Sequence, residues 1–123
     1  LTGISQGYYL GRCLGEDRVA FAGETAGAGD RIRLLTPEDF LRLDEKFDVV
    51  INVDSMSEFS RDTAVQYLDK IAACAGTFLS VNHEANSFRI RDLVRQAGFD
   101  AALSRFPYWM REGYAEEIID FRP

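Results

Sequence analysis

Two apolar segments joined by a helix-forming stretch constrain the fold of this 123-residue chain more than any other feature. Phe47–Val53 is rich in β-branched residues, which is typical of a central strand buried on both faces. Thr77–Asn82 is predicted to be a second strand. Because the connections are short, the pattern predicts a βαβ unit with parallel neighbouring strands and a right-handed crossover.

The segment between these strands has the features of an amphipathic helix. Ser60 is placed to cap its first turn, and Asp62 lies where the helix dipole favours an anion. Gly76 follows the last turn, where a left-handed conformation is often required. The residues of its apolar stripe are Ala64, Val65, Leu68, Ile71, Ala72 and Ala75.

The C-terminal third predicts a helix followed by a hairpin. The helix is expected from about Ser87 to Ala97 and ends at Gly98. Phe99–Phe106 and Tyr114–Phe121 are strands, with a turn or loop at Pro107–Gly113. Since no helix separates these two strands, they should pair in antiparallel fashion.

The first third is less regular. Leu1–Leu14 is expected to be helical, and its glycines at positions 3, 7 and 11 share one face that allows close packing on a sheet. Arg18–Phe21 and Arg31–Leu35 are short strand candidates, and the Gly/Ala-rich Glu24–Asp30 is a loop. Thr36 caps another helix that has Pro37 at its first position.

Composition excludes some functions. The formal net charge of -6 and the sequence pI of about 4.7 argue against binding to nucleic acid or an anionic membrane, because phosphates repel an acidic surface. No apolar run reaches the roughly 18 residues that span a bilayer, and no signal peptide is visible, so we expect a cytoplasmic protein. Cys13 and Cys74 are expected to be buried small apolar residues, without a disulfide or a zinc site.

An α/β chain that ends in a hairpin resembles the closing half of the class I S-adenosylmethionine-dependent methyltransferase fold, whose seven-stranded sheet ends in this way. Residues 47–58 resemble the fourth strand of that fold and its loop, and residues 78–86 resemble the fifth strand and the active-site loop. Residues 107–114 resemble the turn between the last strands. Together these segments are similar to the sugar O-methyltransferase family.

The resemblance implies an α/β Rossmann-like methyltransferase sheet that is partial, with strands three to seven in a single domain over residues 1–123. The Gly-rich turn after the first strand and the acidic residue after the second, which hold the cofactor in that fold, have no counterpart here; Gly23–Gly29 follows only a weak strand. In the family, strands one and two lie between strands three and four, so exposed strand edges are expected. We therefore expect a fragment that pairs with a missing N-terminal half or forms a homo-oligomer.

The implied reaction transfers a methyl group from S-adenosylmethionine to a sugar or glycan hydroxyl. Ligands of open α/β sheets bind beyond the carboxyl ends of the strands, where His83, Glu84 and Asp54 are the catalytic candidates. Imidazole exchanges protons near neutral pH, which suits a general base. Glu84 either orients the imidazole, acts as the base or is merely solvated, and Asp54 either acts in the site or makes a local turn.

Other residues at these strand ends are candidates for binding. The cofactor candidates are Leu35, Thr36, Asn52, Asp54 and Ser55. The substrate candidates are Glu58, Asn82, Trp109, Arg111 and Tyr114. An aromatic platform beside an arginine suits a sugar or a nucleotide diphosphate, although Trp109 can equally cover the end of the sheet. The spacing of Asp54, His83 and Glu84 matches no metal motif, so no metal is predicted.

Two other classes of function stay open. One is a non-catalytic, methyltransferase-like module that binds a partner protein, and the other is a different nucleotide-binding α/β enzyme. A Gly-rich strand–turn–helix in the preceding gene sequence would favour the methyltransferase over the interaction module. The nucleotide-binding alternative predicts no antiparallel hairpin at the end of the sheet.

Overall fold

A computed structural model describes residues 2–24 and 31–121, with only the backbone of residue 2. The chain divides into two structural units, Leu1–Leu43 and Asp44–Pro123. The single domain expected from the sequence stays a prediction. Within the described ranges, no helix has the length and apolar character needed to cross a membrane.

The first unit contains two helices and a small parallel sheet. Its elements are α1 (Thr2–Leu14), β1 (Val19–Phe21), β2 (Ile32–Leu34) and α2 (Pro37–Arg42). β1 pairs with β2 in parallel, with Val19 opposite Ile32. Both short strands predicted from the sequence are therefore confirmed. The loop predicted for Glu24–Asp30 lies outside the described residues from position 25 onward.

Close packing of α1 depends on Gly7. A Cβ atom at this position would lie 2.2 Å from Cζ of Phe21 and 3.0 Å from Cδ1 of Leu34, so only glycine lets the helix approach β1 and β2 this closely. A Cβ at Gly3 would meet nothing within 4 Å. The glycine face predicted from the sequence is thus used for packing at position 7 but not at position 3.

The second unit contains a four-stranded sheet in the order β3-β4-β6-β5. Its elements are β3 (Phe47–Val53), α3 (Arg61–Cys74), β4 (Ala75–His83), α4 (Ile90–Ala97), β5 (Ala101–Pro107) and β6 (Tyr114–Phe121). β3 and β4 are parallel, whereas β6 is antiparallel to both β4 and β5. The parallel βαβ unit and the terminal hairpin are confirmed, and the hairpin argues against the nucleotide-binding alternative.

One face of this sheet forms the core of the unit. Phe78 and Ser80 of β4 lie opposite Ile119 and Glu117 of β6, and all four side chains are buried. Apolar residues of α3 and α4 are buried as well: Ala64, Leu68, Ile71, Ile90, Leu93 and Val94. Ser60 caps α3 by accepting a hydrogen bond from the Thr63 amide at 3.2 Å, as its position in the sequence predicts.

The prediction that Phe47–Val53 is buried on both faces is wrong. β3 forms one edge of the four-stranded sheet, so it has a hydrogen-bonded neighbour only in β4. Val49, Ile51 and Val53 point to the same side and are 51%, 62% and 56% exposed. The β-branched run was interpreted correctly as a strand, but among the described residues it pairs on one side only.

Three local predictions also need correction. Gly76 does not end α3 in a left-handed conformation, because the extended Ala75 leads directly into β4, which contains Gly76. α4 begins at Ile90 rather than near Ser87, since the preceding residues form turns and bends after β4. Cys74 is buried as expected, whereas Cys13 is exposed on α1.

The packing of α1 gives a test with a matched control. We expect Gly7→Ala to lower the free energy of unfolding by about 1–3 kcal/mol, because the added methyl group collides with Phe21. Gly3→Ala on the same helix should be neutral or stabilising by up to about 1 kcal/mol. Urea unfolding followed by far-ultraviolet circular dichroism measures both. Equal effects of the two substitutions would contradict the close approach at Gly7.

Candidate functional site

The parallel pairing of β3 and β4 brings two predicted site residues to the same edge of the sheet. The register continues to Val53 opposite Val81, and the next amide, that of Asp54, donates a hydrogen bond to the Val81 carbonyl at 2.7 Å. His83 ends β4 two residues later. Both Asp54 and His83 therefore lie at the carboxyl ends of adjacent parallel strands, where the sequence places the ligand cleft.

Asp54 is held in an unusual conformation. Its φ of 52° lies in the left-handed region, where side chains other than glycine, asparagine and aspartate are rarely found. Both carboxylate oxygens accept from the Tyr114 hydroxyl at 2.9 Å, and Oδ2 also accepts from Nη1 of Arg111 at 2.9 Å. The Arg111 guanidinium lies 4.2 Å from the centre of the Tyr114 ring. We call Asp54, His83, Arg111 and Tyr114 the strand-end cluster.

The contacts within the strand-end cluster fix the protonation states of two members. The hydrogen bond from Tyr114, together with Arg111, lowers the pKa of Asp54, so this carboxyl is an anion at neutral pH. Burial, followed by the hydrogen bond to Asp54, raises the pKa of Tyr114, so its phenol keeps its proton. Asp54 thus anchors the β5–β6 turn to the end of β3, and both of its oxygens are already engaged.

His83 is fixed on three sides. Its Nδ1 accepts a hydrogen bond from the amide of Ala85 at 3.1 Å, and its ring lies edge-on to Tyr114 with centres 5.0 Å apart. Gly113 closes the third side, since a Cβ there would lie 2.8 Å from Nε2. The Gly113 carbonyl also accepts from the amide of Glu84 at 2.9 Å. His83 therefore sits between the end of β4 and the β5–β6 turn.

Asn52 and Asn82 join the two strand ends through their side chains. Nδ2 of Asn82 donates to Oδ1 of Asn52 and to Oγ of Ser80, both at 2.9 Å. Nδ2 of Asn52 donates to Oγ of Ser55, and its Oδ1 accepts from the Met56 amide at 3.3 Å. The two amides, predicted as cofactor and substrate contacts, have partners within the protein, which satisfies the requirement for hydrogen bonds at buried positions.

The same network continues to Glu58. Oδ1 of Asn82 accepts from the Ser57 hydroxyl at 3.1 Å, and Nδ2 of Asn86 donates to that hydroxyl at 2.8 Å. Asn86 also donates to Oε1 of Glu58 at 2.9 Å. The short 3₁₀ turn Met56–Glu58 after β3 is thereby tied to the turn after β4. We call these residues the amide network: Asn52, Ser55, Ser57, Asn82 and Asn86.

Glu84 pairs with two arginines rather than with the imidazole, whose orientation was one of its predicted roles. Its carboxylate forms an ion pair with Arg105 of β5 and lies 3.4 Å from Nε of Arg89. Its proposed role as a base stays a prediction.

The ion pairs of Glu84 lie close to a buried glutamate, Glu117 of β6. Oε1 of Glu117 is 3.3 Å from Nε of Arg105, yet this buried oxygen accepts no well-aligned hydrogen bond among the described residues. Burial, and then the negative charge of Glu84, raises the pKa of Glu117. The folded protein therefore favours the neutral form of this carboxyl more than the unfolded chain does.

Glu117 yields a prediction about stability and pH. Because its pKa is raised on folding, its contribution to stability is complete below the ordinary glutamate pKa and is lost as pH rises through the raised value. We expect Glu117→Gln to raise the free energy of unfolding at neutral pH, with the gain shrinking in acid. Urea unfolding across this pH range measures it. Glu116→Gln, on the opposite face of β6, is the control, and an equal gain there would refute the explanation.

The aromatic residue of the β5–β6 turn is open to solvent. Trp109 is 86% exposed, so it does not cover the end of the sheet, which was the alternative to a substrate role. Arg111 and Tyr114 of the same turn region join Asp54 in the strand-end cluster. Of the three predicted substrate residues in this region, Trp109 is exposed to solvent, whereas Arg111 and Tyr114 are bound to Asp54.

The two remaining cofactor candidates lie in the first unit. Oγ1 of Thr36 accepts from the Asp39 amide at 3.1 Å, and Oδ2 of Asp39 accepts from the Thr36 amide at 3.2 Å. This is a capping box at the start of α2. Leu35 and Thr36 also line a groove of about 490 Å³ together with Phe21 and Pro37. Their role in binding the cofactor stays a prediction.

Several residues of the site were not singled out from the sequence. Gly113, Ala85, Asn86 and Ser57 each hold a predicted residue in place. The signal for Gly113 was present, because a glycine in a hairpin turn often marks a positive φ, here 80°. In the described ranges, no group of three His, Cys, Asp or Glu side chains is arranged to hold a metal ion.

Comparison with known proteins identifies the fold. No protein-family model and no curated protein sequence matches the chain. Among solved structures, it is similar to the magnesium protoporphyrin IX methyltransferase of Synechocystis PCC 6803 with bound SAM. The identity is 19% and the TM-score 0.50, over 83% of this chain and 51% of that one. Protein 1320 of Thermoplasma acidophilum shows 14% identity and a TM-score of 0.46, over 85% and 65%.

The likeness to the Synechocystis protein establishes a class of fold. This chain has part of the Rossmann-like α/β fold found in class I methyltransferases, including the hairpin that ends the sheet. It spans about half the length of that structure, 51%. The fold prediction made from the sequence is thus confirmed, while the activity of the whole protein belongs to the proposal below.

The charge of Asp54 provides a test of the strand-end cluster. Since the pKa of Asp54 is lowered on folding, its contribution to stability is present above the ordinary aspartate pKa and is lost as pH falls through the lowered value. We expect Asp54→Asn to lower the urea midpoint at neutral pH, by an amount that fades in acid. The effect is modest because the carboxylate is partly exposed and screened by solvent.

A double-mutant cycle separates this contact from the backbone effect of Asn in a left-handed conformation. In the background of Tyr114→Phe, which removes the hydroxyl, Asp54→Asn should cost less than in the parent protein. Identical costs in both backgrounds would show that the Asp54–Tyr114 bond contributes nothing to stability.

Proposed function

We propose that this chain is part of an S-adenosylmethionine-dependent O-methyltransferase that acts on a hydroxyl group of a sugar or glycan. The observation that carries the proposal is the meeting of Asp54 and His83, through Tyr114, at the carboxyl ends of two parallel strands. The related fold of the Synechocystis methyltransferase, crystallised with SAM, supports the choice of cofactor. The resemblance of residues 47–58, 78–86 and 107–114, taken together, to sugar methyltransferases supports the acceptor.

The charges at the strand ends fit the proposed donor. S-Adenosylmethionine carries a positive sulfonium, and a sulfonium close to Asp54 would share this carboxylate with Arg111. When bound, the cofactor supplies the methyl group. Ser55 has its hydroxyl engaged by Asn52, so we propose that it shapes the loop beside the cofactor. No Gly-rich turn follows a buried strand in the described residues, so only part of the cofactor site would come from them.

The acceptor side is proposed at the β5–β6 turn. An exposed indole such as Trp109 offers a flat apolar surface on which the C–H face of a sugar ring can stack. Both oxygens of Asp54 accept from Tyr114, and Oε2 of Glu84 is paired with Arg105 and Arg89. His83 and Glu58 are then the residues at the strand ends that are able to contact the hydroxyl groups of the acceptor.

A non-catalytic interaction module is the second candidate, and one observation favours it. β3 has an open edge and exposes Val49, Ile51 and Val53 on one face. Such an edge pairs readily with another strand. We propose that this strand comes from an N-terminal half of the same protein or from a second copy, and an interaction module would use the same edge for a different protein.

The sugar acceptor can be tested on the full-length gene product. We expect it to transfer the methyl group of radiolabelled S-adenosylmethionine to a sugar from a panel of nucleotide sugars and free glycans. Trp109→Ala should raise the KM for that sugar threefold to tenfold, roughly what loss of about 1 kcal/mol of stacking gives, with kcat little changed. Met110→Ala, an exposed neighbour, is the control.

Different outcomes would overturn different parts of this proposal. If calorimetry detected no binding of S-adenosylmethionine to the full-length protein, the interaction module would be favoured. If the cofactor bound but only acceptors without sugar were methylated, the fold assignment would stand and the sugar would be wrong. A Trp109→Ala protein with an unchanged KM would remove the stacking surface from the site.

A further inference from the structure

The position of the proton on His83 decides what this residue can do. A backbone N–H group can only donate a hydrogen bond. Nδ1 of His83 accepts a hydrogen bond from the Ala85 amide at 3.1 Å, so Nδ1 must be the unprotonated nitrogen. In the neutral ring, the proton then resides on Nε2. Protonating Nδ1 would require the Ala85 contact to break. His83 is therefore arranged to donate a hydrogen bond through Nε2, and its only basic nitrogen is occupied.

The Nε2 atom of His83 is available to a ligand. It has no hydrogen-bond partner within residues 2–24 and 31–121, and it is not among their buried unpaired atoms. Gly113 gives it room, because a Cβ at that position would lie only 2.8 Å away. An oxygen atom of a bound ligand can accept a hydrogen bond from such a donor.

A base is then needed elsewhere, and the carboxylates at the strand ends can be compared directly. Both oxygens of Asp54 accept from Tyr114, and Glu84 is ion-paired with Arg105. Oε1 of Glu84 has no partner in the described part of the chain, but the charge of Glu84 is paired with Arg105 and Arg89. Glu58 differs: Oε1 accepts from Asn86 at 2.9 Å, Oε2 has no partner there, and no cation of the described residues forms an ion pair with this carboxylate. Glu58 is therefore the carboxylate with a free oxygen and no ion pair.

We propose, building on the sugar methyltransferase function above, that Glu58 is the catalytic base and that His83 positions the acceptor sugar as a hydrogen-bond donor. Oε2 of Glu58 accepts the proton of the reacting hydroxyl, and Nε2–H of His83 donates to an oxygen of the same sugar. His83 keeps its proton throughout. This reverses the assignment made from the sequence, in which His83 was the base.

The amide network explains how an exposed glutamate is held for this task. Asn86 binds both Glu58 and Ser57, and Ser57 donates to the buried Asn82 at 3.1 Å. Glu58 is thus connected to β4 next to His83. Its charge also contributes to raising the pKa of Tyr114, which places it in the electrostatic surroundings of the strand-end cluster.

The chemical step balances with these two residues. The acceptor oxygen attacks the methyl carbon, the new C–O bond forms, and the C–S bond breaks with its electron pair remaining on sulfur. The sulfonium becomes a neutral thioether. The hydroxyl proton passes to Oε2 of Glu58, and water removes it after the product leaves. General-base assistance of this kind typically contributes a factor of about 100 to 10,000 in rate.

The first experiment determines the tautomer directly in the full-length protein. Long-range ¹H–¹⁵N correlation spectra at a pH where the ring is neutral should show the His83 ring protonated on Nε2, and reference spectra of His83→Ala assign its signals. In this chain His83 is the only histidine. A ring protonated on Nδ1 would overturn the proposal, because Nε2 would then be a free base.

The second experiment compares variants in the same methylation assay. Glutamine can replace the Nε2–H donor but cannot act as a base, so His83→Gln should keep kcat within about fivefold of the parent, whereas His83→Ala raises the KM for the sugar. Glu58→Gln, which still accepts from Asn86, should lower kcat by about 100-fold or more. Binding of S-adenosylmethionine should be unchanged.

The outcomes separate this inference from the function on which it rests. If the parent protein methylates a sugar but Glu58→Gln retains its rate, or if His83→Gln is as inactive as His83→Ala, the division of roles is wrong and the methyltransferase stands. If no sugar is methylated at all, the proposed function fails. Gly113→Ala should disturb the His83 ring signals, whereas Gly98→Ala, with a similar φ but no neighbour within 4 Å, should not.

Discussion

The parallel pairing of β3 with β4 is the constraint on which the site depends. It places the residue after each strand at one edge, where the Asp54 amide bonds to Val81 at 2.7 Å. Tyr114 then binds the Asp54 carboxylate and packs against His83, so the hairpin is attached to the same edge. A shift of one residue in the register of β3 against β4 would turn these side chains to the opposite faces of the sheet, so the strand-end cluster would not form.

Side-chain amides, one buried and one half-buried, make this arrangement specific. Asn52 and Asn82 bond to each other at 2.9 Å across the two strands, and each also bonds to the turn that follows β3. An unpaired buried amide costs free energy, so the network is satisfied only when that turn takes this conformation. These two amides, predicted from the sequence as ligand contacts, thus hold Met56 and Ser57 in place.

The sequence predicted features that depend on local patterns. The β-branched run, the Ser60 cap and the paired terminal strands all follow from neighbouring residues. The partners of Glu84 could not be predicted, because its ion pair with Arg105 depends on how β4, β5 and β6 align. The tautomer of His83 likewise depends on one backbone amide in a turn. Periodicity also cannot reveal whether a strand such as β3 has one neighbour or two.

The open edge of β3 connects assembly with chemistry. Val49, Ile51 and Val53 expose an apolar face on the strand that ends at Asp54. A further strand that paired in parallel with β3 would bring its own carboxyl end beside Asp54, since parallel strands finish at the same edge. It would also bury the backbone groups that β3 now leaves unpaired. A strand that pairs with this edge of β3 would therefore also complete the ligand cleft. Asp54, which is ionised and has a left-handed backbone conformation, lies where the carboxyl ends of the two strands would meet.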